Sequence, residues 1–228
     1  MFFYDPTFII LIPALLLAGW AQYKVQSTFH RYSRVPSSTG ITGAQVARKL
    51  LQDNGIDDVT VEPVRGNLTD HYHPTKKTLF LSEPVFGASS ISAICVAAHE
   101  VGHAIQHQED YKPLSIRSML VPVANFGNYT AWILFFLGLI FSMDFLVQIG
   151  IVLFTFVVLF QLVTLPVEFT ASARALAQVS YQGFLNNDEL RYGKKVLNAA
   201  ALTYVAAALM AILQLLRLLI IFGGLRRD

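Results

Sequence analysis

Four stretches of this chain are too long and too apolar to be covered by a single soluble core. Residues 8–23 read FIILIPALLLAGWAQY, and similar runs occupy about 118–141, 145–165 and 199–222. A helix that crosses a bilayer takes about 20 mainly apolar residues. Inside lipid, every backbone N–H and C=O must find its partner within the spanning element, so such runs are helices. Composition agrees, with 54% hydrophobic and only 14% charged residues in 228. The expected fold is therefore mainly α, a multipass α-helical membrane protein. The first run is somewhat short, and Phe2, Phe3 and Tyr4 extend it. A cleaved signal peptide is the competing reading, but its leading segment would lack Lys and Arg and carry Asp5, so an uncleaved anchor is preferred. A net charge of +2 is too small to argue for a nucleic-acid partner.

Basic residues orient the spans. Of the 17 Lys and Arg, all but Arg217, Arg226 and Arg227 fall in residues 24–117 or 167–198. By the positive-inside bias these two segments face the cytosol. The expected organisation is an anchor (1–23), a cytosolic region (24–117), a transmembrane hairpin (118–166), a cytosolic helix (167–198), and a last span with its tail (199–228). Arg217 interrupts the last span, and a fully crossing helix would leave Arg226 and Arg227 outside. A tilted or re-entrant final helix would relieve that conflict.

The cytosolic region carries the chemistry. Residues 42–54 read as a short amphipathic helix capped by Thr42 and stopped by Gly55. Residues 59–64, broken by Pro63, and 78–82 read as strands, and an exposed strand edge could pair with an extended peptide. Residues 89–107, SSISAICVAAHEVGHAIQH, read as a buried helix whose few polar positions are the motif His99-Glu100-Val101-Gly102-His103. Histidines four apart lie on one helix face, within reach of one tetrahedral Zn²⁺. Glu100 follows the first histidine and is placed to act as general base on water beside the metal. The alternative is a buried helix with satisfied core histidines. The one cysteine, Cys95, excludes an internal disulfide; it is a possible ligand or, more in keeping with its surroundings, a small buried residue.

A catalytic zinc takes three protein ligands and one open position. The extended motif fails, because Gln106 and Glu109 stand where Gly and a third His belong. His107 is one turn beyond His103, but successive i+4 steps drift around the helix. Glu168 is the better candidate: it would open a helix of alanines, VEFTASARALA, able to approach the small residues Ala97, Ala98 and Gly102 of the motif helix. Its alternative is an interfacial carboxylate capping a helix start. His71, Tyr72, His73 and Arg174 are candidates for stabilising a transition state. The two histidines could equally be turn residues beside Pro74, and Arg174 a membrane-surface anchor.

AAHEVGHAIQH, LPVEFTASARAL, LTDHYHPTKKTLFLSEPVF and LNAAALTYVAA together resemble the YugP-like membrane zinc metallopeptidases, over nearly the whole chain. More distantly the chain is similar to the HtpX and CAAX-prenyl-protease type. The resemblance implies zinc held by His99, His103 and Glu168, with Glu100 as base. Ser172 stands where the distant relatives carry an Asp that orients a ligand histidine.

These readings converge on a small cytosolic α+β, zincin-like metallopeptidase unit in a multipass membrane protein. It would hold one Zn²⁺ per chain and hydrolyse peptide bonds of protein or peptide substrates near the cytosolic membrane surface. The rival is a catalytically silent zinc-binding scaffold; against it, a structural site needs no base and usually has four protein ligands.

Overall fold

The computed structural model describes residues 6–225. Phe2, Phe3, Tyr4, Asp5, Arg226 and Arg227, which enter the reading of the two ends, lie outside the described residues. A 3₁₀ turn, Pro6–Leu11, leads into α1 (Ile12–Tyr32). There follow α2 (Gly43–Asp53), β1 (Thr60–Val64), β2 (His71–His73), β3 (Thr78–Ser82), α3 (Glu83–Phe86), α4 (Ile91–Gln108), α5 (Lys112–Ile140), α6 (Asp144–Tyr181) and α7 (Asn187–Leu225). The protein is mainly helical, and Pro6–Tyr32, α5, α6 and Asn187–Gly224 are each long and apolar enough to cross a membrane.

The chain divides into two compact units. The first comprises Met1–Trp20, Ser115–Leu165 and Thr203–Asp228. Its interior is formed by residues such as Phe135, Val147, Phe154, Ala211 and Leu218, while Met119, Phe126, Tyr129 and Phe145 lie exposed, as lipid-facing side chains do. Glycines bring α5 and α6 together: a Cβ on Gly150 would lie 2.8 Å from the Ala131 carbonyl oxygen. Arg217 has a polar and an aromatic partner. Its Nε donates to Thr7 Oγ1 at 3.2 Å and its guanidinium lies over the Phe8 ring. It thus meets the 3₁₀ turn Pro6–Leu11 that precedes α1.

The second unit comprises Ala21–Leu114 and Pro166–Leu202. Its core gathers Leu50 and Val46 of α2, Leu79 and Leu81 of β3, Ile94 and Val101 of α4, Val179 of α6 and Val196 of α7. α2 starts where expected, with a capping box between Thr42 and Gln45, which satisfies otherwise orphaned backbone donors. The sheet has the order β1-β3-β2, parallel between β1 and β3 and antiparallel between β2 and β3. Pro63 stays inside β1 because β1 is an edge strand, where a missing N–H costs no ladder bond.

Three elements differ from the sequence reading. Residues 71–73, read as turn-like, form the edge strand β2, which pairs Tyr72 with Leu79. Glu168 does not open a new helix: α6 is continuous through Pro166. Proline there removes one intrahelical bond, which a 38-residue helix tolerates at the junction between the two units. Likewise α7 begins at Asn187, well before the apolar run.

Candidate metal centre

The centre lies within the second unit, where α4 meets α6. Glycine makes the approach possible. A Cβ on Gly102 would lie 2.8 Å from the carbonyl oxygen of Ala171 and 3.1 Å from its Cα, so only glycine lets the two backbones come this close. Residues 99 and 103 stand on the α4 face turned to α6, and Glu168 projects from α6 between them.

His99 Nε2 lies 3.3 Å from Glu168 Oε2, and His103 Nε2 lies 3.6 Å from the same oxygen. One donor atom from each of the three residues falls within 4.8 Å of the others. Zinc bonds of about 2.0–2.2 Å in a tetrahedral arrangement set donor-to-donor edges of about 3.3–3.6 Å. The two separations match such edges, and two imidazole nitrogens with one carboxylate oxygen suit Zn²⁺. The residues present therefore fit the ion that the sequence implies.

The far side of each imidazole is held as well. Gln106, fully buried on α4, donates its Nε2–H to the Val167 carbonyl at 2.8 Å. That fixes its Oε1 as the acceptor for His103 Nδ1–H, 3.0 Å away. Nδ1 of His103 therefore carries the proton, leaving the Nε2 lone pair toward Glu168. Ser172 Oγ lies 3.1 Å from His99 Nδ1 and holds the first imidazole turned with Nε2 toward Glu168. Burial opposes a charge on His103, but the Glu168 carboxylate and Glu100 outweigh it, and the metal-free imidazole holds its proton above the usual histidine range. Glu100 is buried. Its Oε2 accepts the backbone N–H of Tyr72, in β2, at 3.0 Å, which leaves Oε1 outside that hydrogen bond.

Residues 7–223 match the family described as "Putative neutral zinc metallopeptidase". The chain belongs to this family. It is 54% identical over 213 residues, 93% of this chain and 95% of the relative, to "Putative membrane protease YugP" of Bacillus subtilis (strain 168). No solved structure matches the chain. Family membership and the four apolar helices make this a membrane protein of a zinc metallopeptidase family.

The other candidates from the sequence stand outside the three-residue group. His107 is exposed on α4, and its Nδ1 pairs with Tyr72 Oη at 2.8 Å. His71 Nδ1 bonds the Thr69 carbonyl at 2.8 Å, and its ring stacks on Phe80. His73 Nδ1 accepts the Lys76 amide at 3.2 Å, closing a turn. Arg174 pairs with Glu109 Oε2 at 2.6 Å and lies over the Tyr111 ring. Cys95 is fully buried, its thiol pushed up to about 12 by that burial. Its Sγ fills the space a Cβ on Gly193 would need, so it is a packing residue between α4 and α7. Gln106 was legible in the sequence only as a departure from the extended motif; its signal was a polar side chain on an otherwise apolar helix, three residues after a ligand candidate.

Proposed function

We propose that this protein is an integral-membrane zinc endopeptidase that cuts protein or peptide substrates beside the cytosolic membrane surface, with His99, His103 and Glu168 as the ligands of one zinc and Glu100 as general base. The observation that carries this reading is the convergence of three donor atoms from two helices onto a volume that one tetrahedral ion fills. When bound, zinc polarises a carbonyl oxygen and acidifies water beside it. The chain's own residues do the rest. Glu100 takes a proton from the attacking water at the carboxylate oxygen that Tyr72 does not hold, and returns it to the departing amide nitrogen. The Tyr72 amide keeps the carboxylate aimed. Gln106 and Ser172 keep the two imidazoles turned with Nε2 inward.

Edge strand β2 supports an extended peptide as substrate: its side away from β3 has no strand partner among the described residues, and with the Tyr72 N–H taken by Glu100 the Tyr72 carbonyl is the group left to accept from a peptide. Glu168 is three residues from Leu165, the last residue of the apolar unit in α6, about 4.5 Å along a helix. Segments close to the bilayer are therefore the substrates in reach. The charge bias of the loops supports a cytosolic site. In this arrangement residues 24–117 and 167–198 form the peptidase unit and 118–166 the membrane hairpin that interrupts it.

Zinc per chain in detergent-purified protein tests the reading, with parent, Glu168→Ala and Glu100→Gln side by side. The expected result is near-stoichiometric zinc in the parent, a large loss in Glu168→Ala, and full zinc without cleavage of an unstructured polypeptide in Glu100→Gln. Glu100→Gln protein that cuts like the parent would overturn the catalytic part and leave a zinc-binding scaffold.

A further inference from the structure

Beside Tyr72, whose amide holds Glu100, lies a cavity of about 160 Å³ lined by β2, the segment before β1, Lys77 and the C-terminal half of α4. We propose that this cavity receives one side chain of the substrate beside the scissile bond and selects a neutral side chain of leucine, methionine or glutamine size. The inference rests on the peptidase reading above.

Position, size and charge each contribute. Ala104 forms part of the cavity wall and lies one turn beyond Glu100 on the same stripe of α4. Tyr72 forms the opposite wall, and its own amide is the group that holds Glu100. The cavity and the base therefore share a residue, and a peptide seated for attack would carry a side chain to its opening. At about 30 Å³ per water, the space equals about five water molecules, which corresponds to a side chain of four to six non-hydrogen atoms. Ile56 and Val59 give it an apolar floor. Its polar side chains have partners: Tyr72 Oη with His107 Nδ1 at 2.8 Å, Asp58 with Lys77 in an ion pair, and Gln108 Nε2 with the Gly55 carbonyl at 3.3 Å. Asp58 and Lys77 are exposed and offset one another, so a charged guest would find no unmatched counter-charge and would give up part of its hydration against Ile56 and Val59. A neutral chain loses nothing by comparison. Burial, with Asp58 adding to it, holds the Tyr72 hydroxyl above its ordinary value, so it stays a neutral hydrogen-bonding wall.

The test is the cleavage spectrum of zinc-loaded protein in detergent on a proteome-derived peptide library, read by mass spectrometry. In the parent, one position flanking the cut should be enriched in Leu, Met and Gln and depleted in Asp, Glu, Lys, Arg and Trp. Ala104→Leu fills the cavity and should move that position toward Gly, Ala and Ser by at least about tenfold, the scale on which one or two methylenes are discriminated. His107→Ala widens it and should admit Phe, Tyr and Trp; it stands as the second probe because Ala104 is buried and its enlargement can disturb folding. Both variants should retain the parent's zinc content. Cleavage that Glu100→Gln abolishes, with the same side-chain preference in parent, Ala104→Leu and His107→Ala, would overturn the pocket while leaving the peptidase intact. A zinc-loaded parent that cuts no peptide of the library would overturn both.

Discussion

Gln106 donates to the Val167 carbonyl and accepts from His103, so one buried amide ties the orientation of a ligand candidate on α4 to the backbone that carries Glu168 on α6. Outer partners of this kind are worth about 10–100-fold in metal affinity. Gln106→Ala should therefore weaken zinc binding by about that factor, measured by competition with a chromogenic chelator, with zinc-saturated activity falling much less. Proton competition gives a second expectation at this scale. The raised His103 pKa stabilises the metal-free fold fully below the unfolded value of about 6.5 and loses that contribution as pH rises through the folded value. Zinc must displace the same proton, so its apparent affinity rises over the same window. Melting curves with and without zinc should accordingly diverge as pH rises above the ordinary histidine value of about 6.5, and a zinc-induced shift that does not grow with pH there would contradict the assignment. His99, Glu100 and His103 were legible in the sequence because four-residue spacing on a helix is a local property. Ser172 was reached only through the resemblance, as the residue in the place of an orienting Asp, and Gln106 not at all as a partner, because hydrogen bonds to a neighbouring helix exist only once the helices meet.

Among the elements of the second unit, α4 and α6 come into close backbone contact at Gly102 against Ala171. Gly102→Ala would set a methyl group against backbone atoms that cannot rotate away, so α4 and α6 must separate by some tenths of an ångström. Overpacking of this kind costs about 1–3 kcal/mol, and the displacement falls directly on the separation between Glu168 and the two histidines. We expect Gly102→Ala to lose zinc more readily than Gly193→Ala, which presses on Cys95 from α7, away from the centre; equilibrium dialysis compares them. The two strands rich in β-formers and the capped helix α2 were readable from pattern and propensity. β2 was not, since three residues with two histidines carry no periodicity, and only pairing with β3 makes them a strand. The continuity of α6 was hidden by Pro166, which locally signals an end but is overridden when the helix is held on both sides of it.

At the scale of the whole chain, apolar length and loop charge were the strongest signals, because a bilayer imposes them on composition itself. Orientation is open to a direct check, and the chain is suited to it: its single cysteine is buried with a thiol at about 12, so a membrane-impermeant maleimide should leave the parent unlabelled. Ser142→Cys, in the turn between α5 and α6, should then label on intact cells, whereas Lys76→Cys should label only after the membrane is opened. The reverse pattern would turn the site outward. The order of the site along the chain also bears on how the protein is made. His103 and Glu168 are separated by a hairpin of two apolar helices, so the ribosome delivers the first two donors long before the third. The centre stays incomplete until that hairpin has been inserted and α6 has emerged behind it. Under the proposed activity, the chain cannot cut its neighbours until its own third donor is in place.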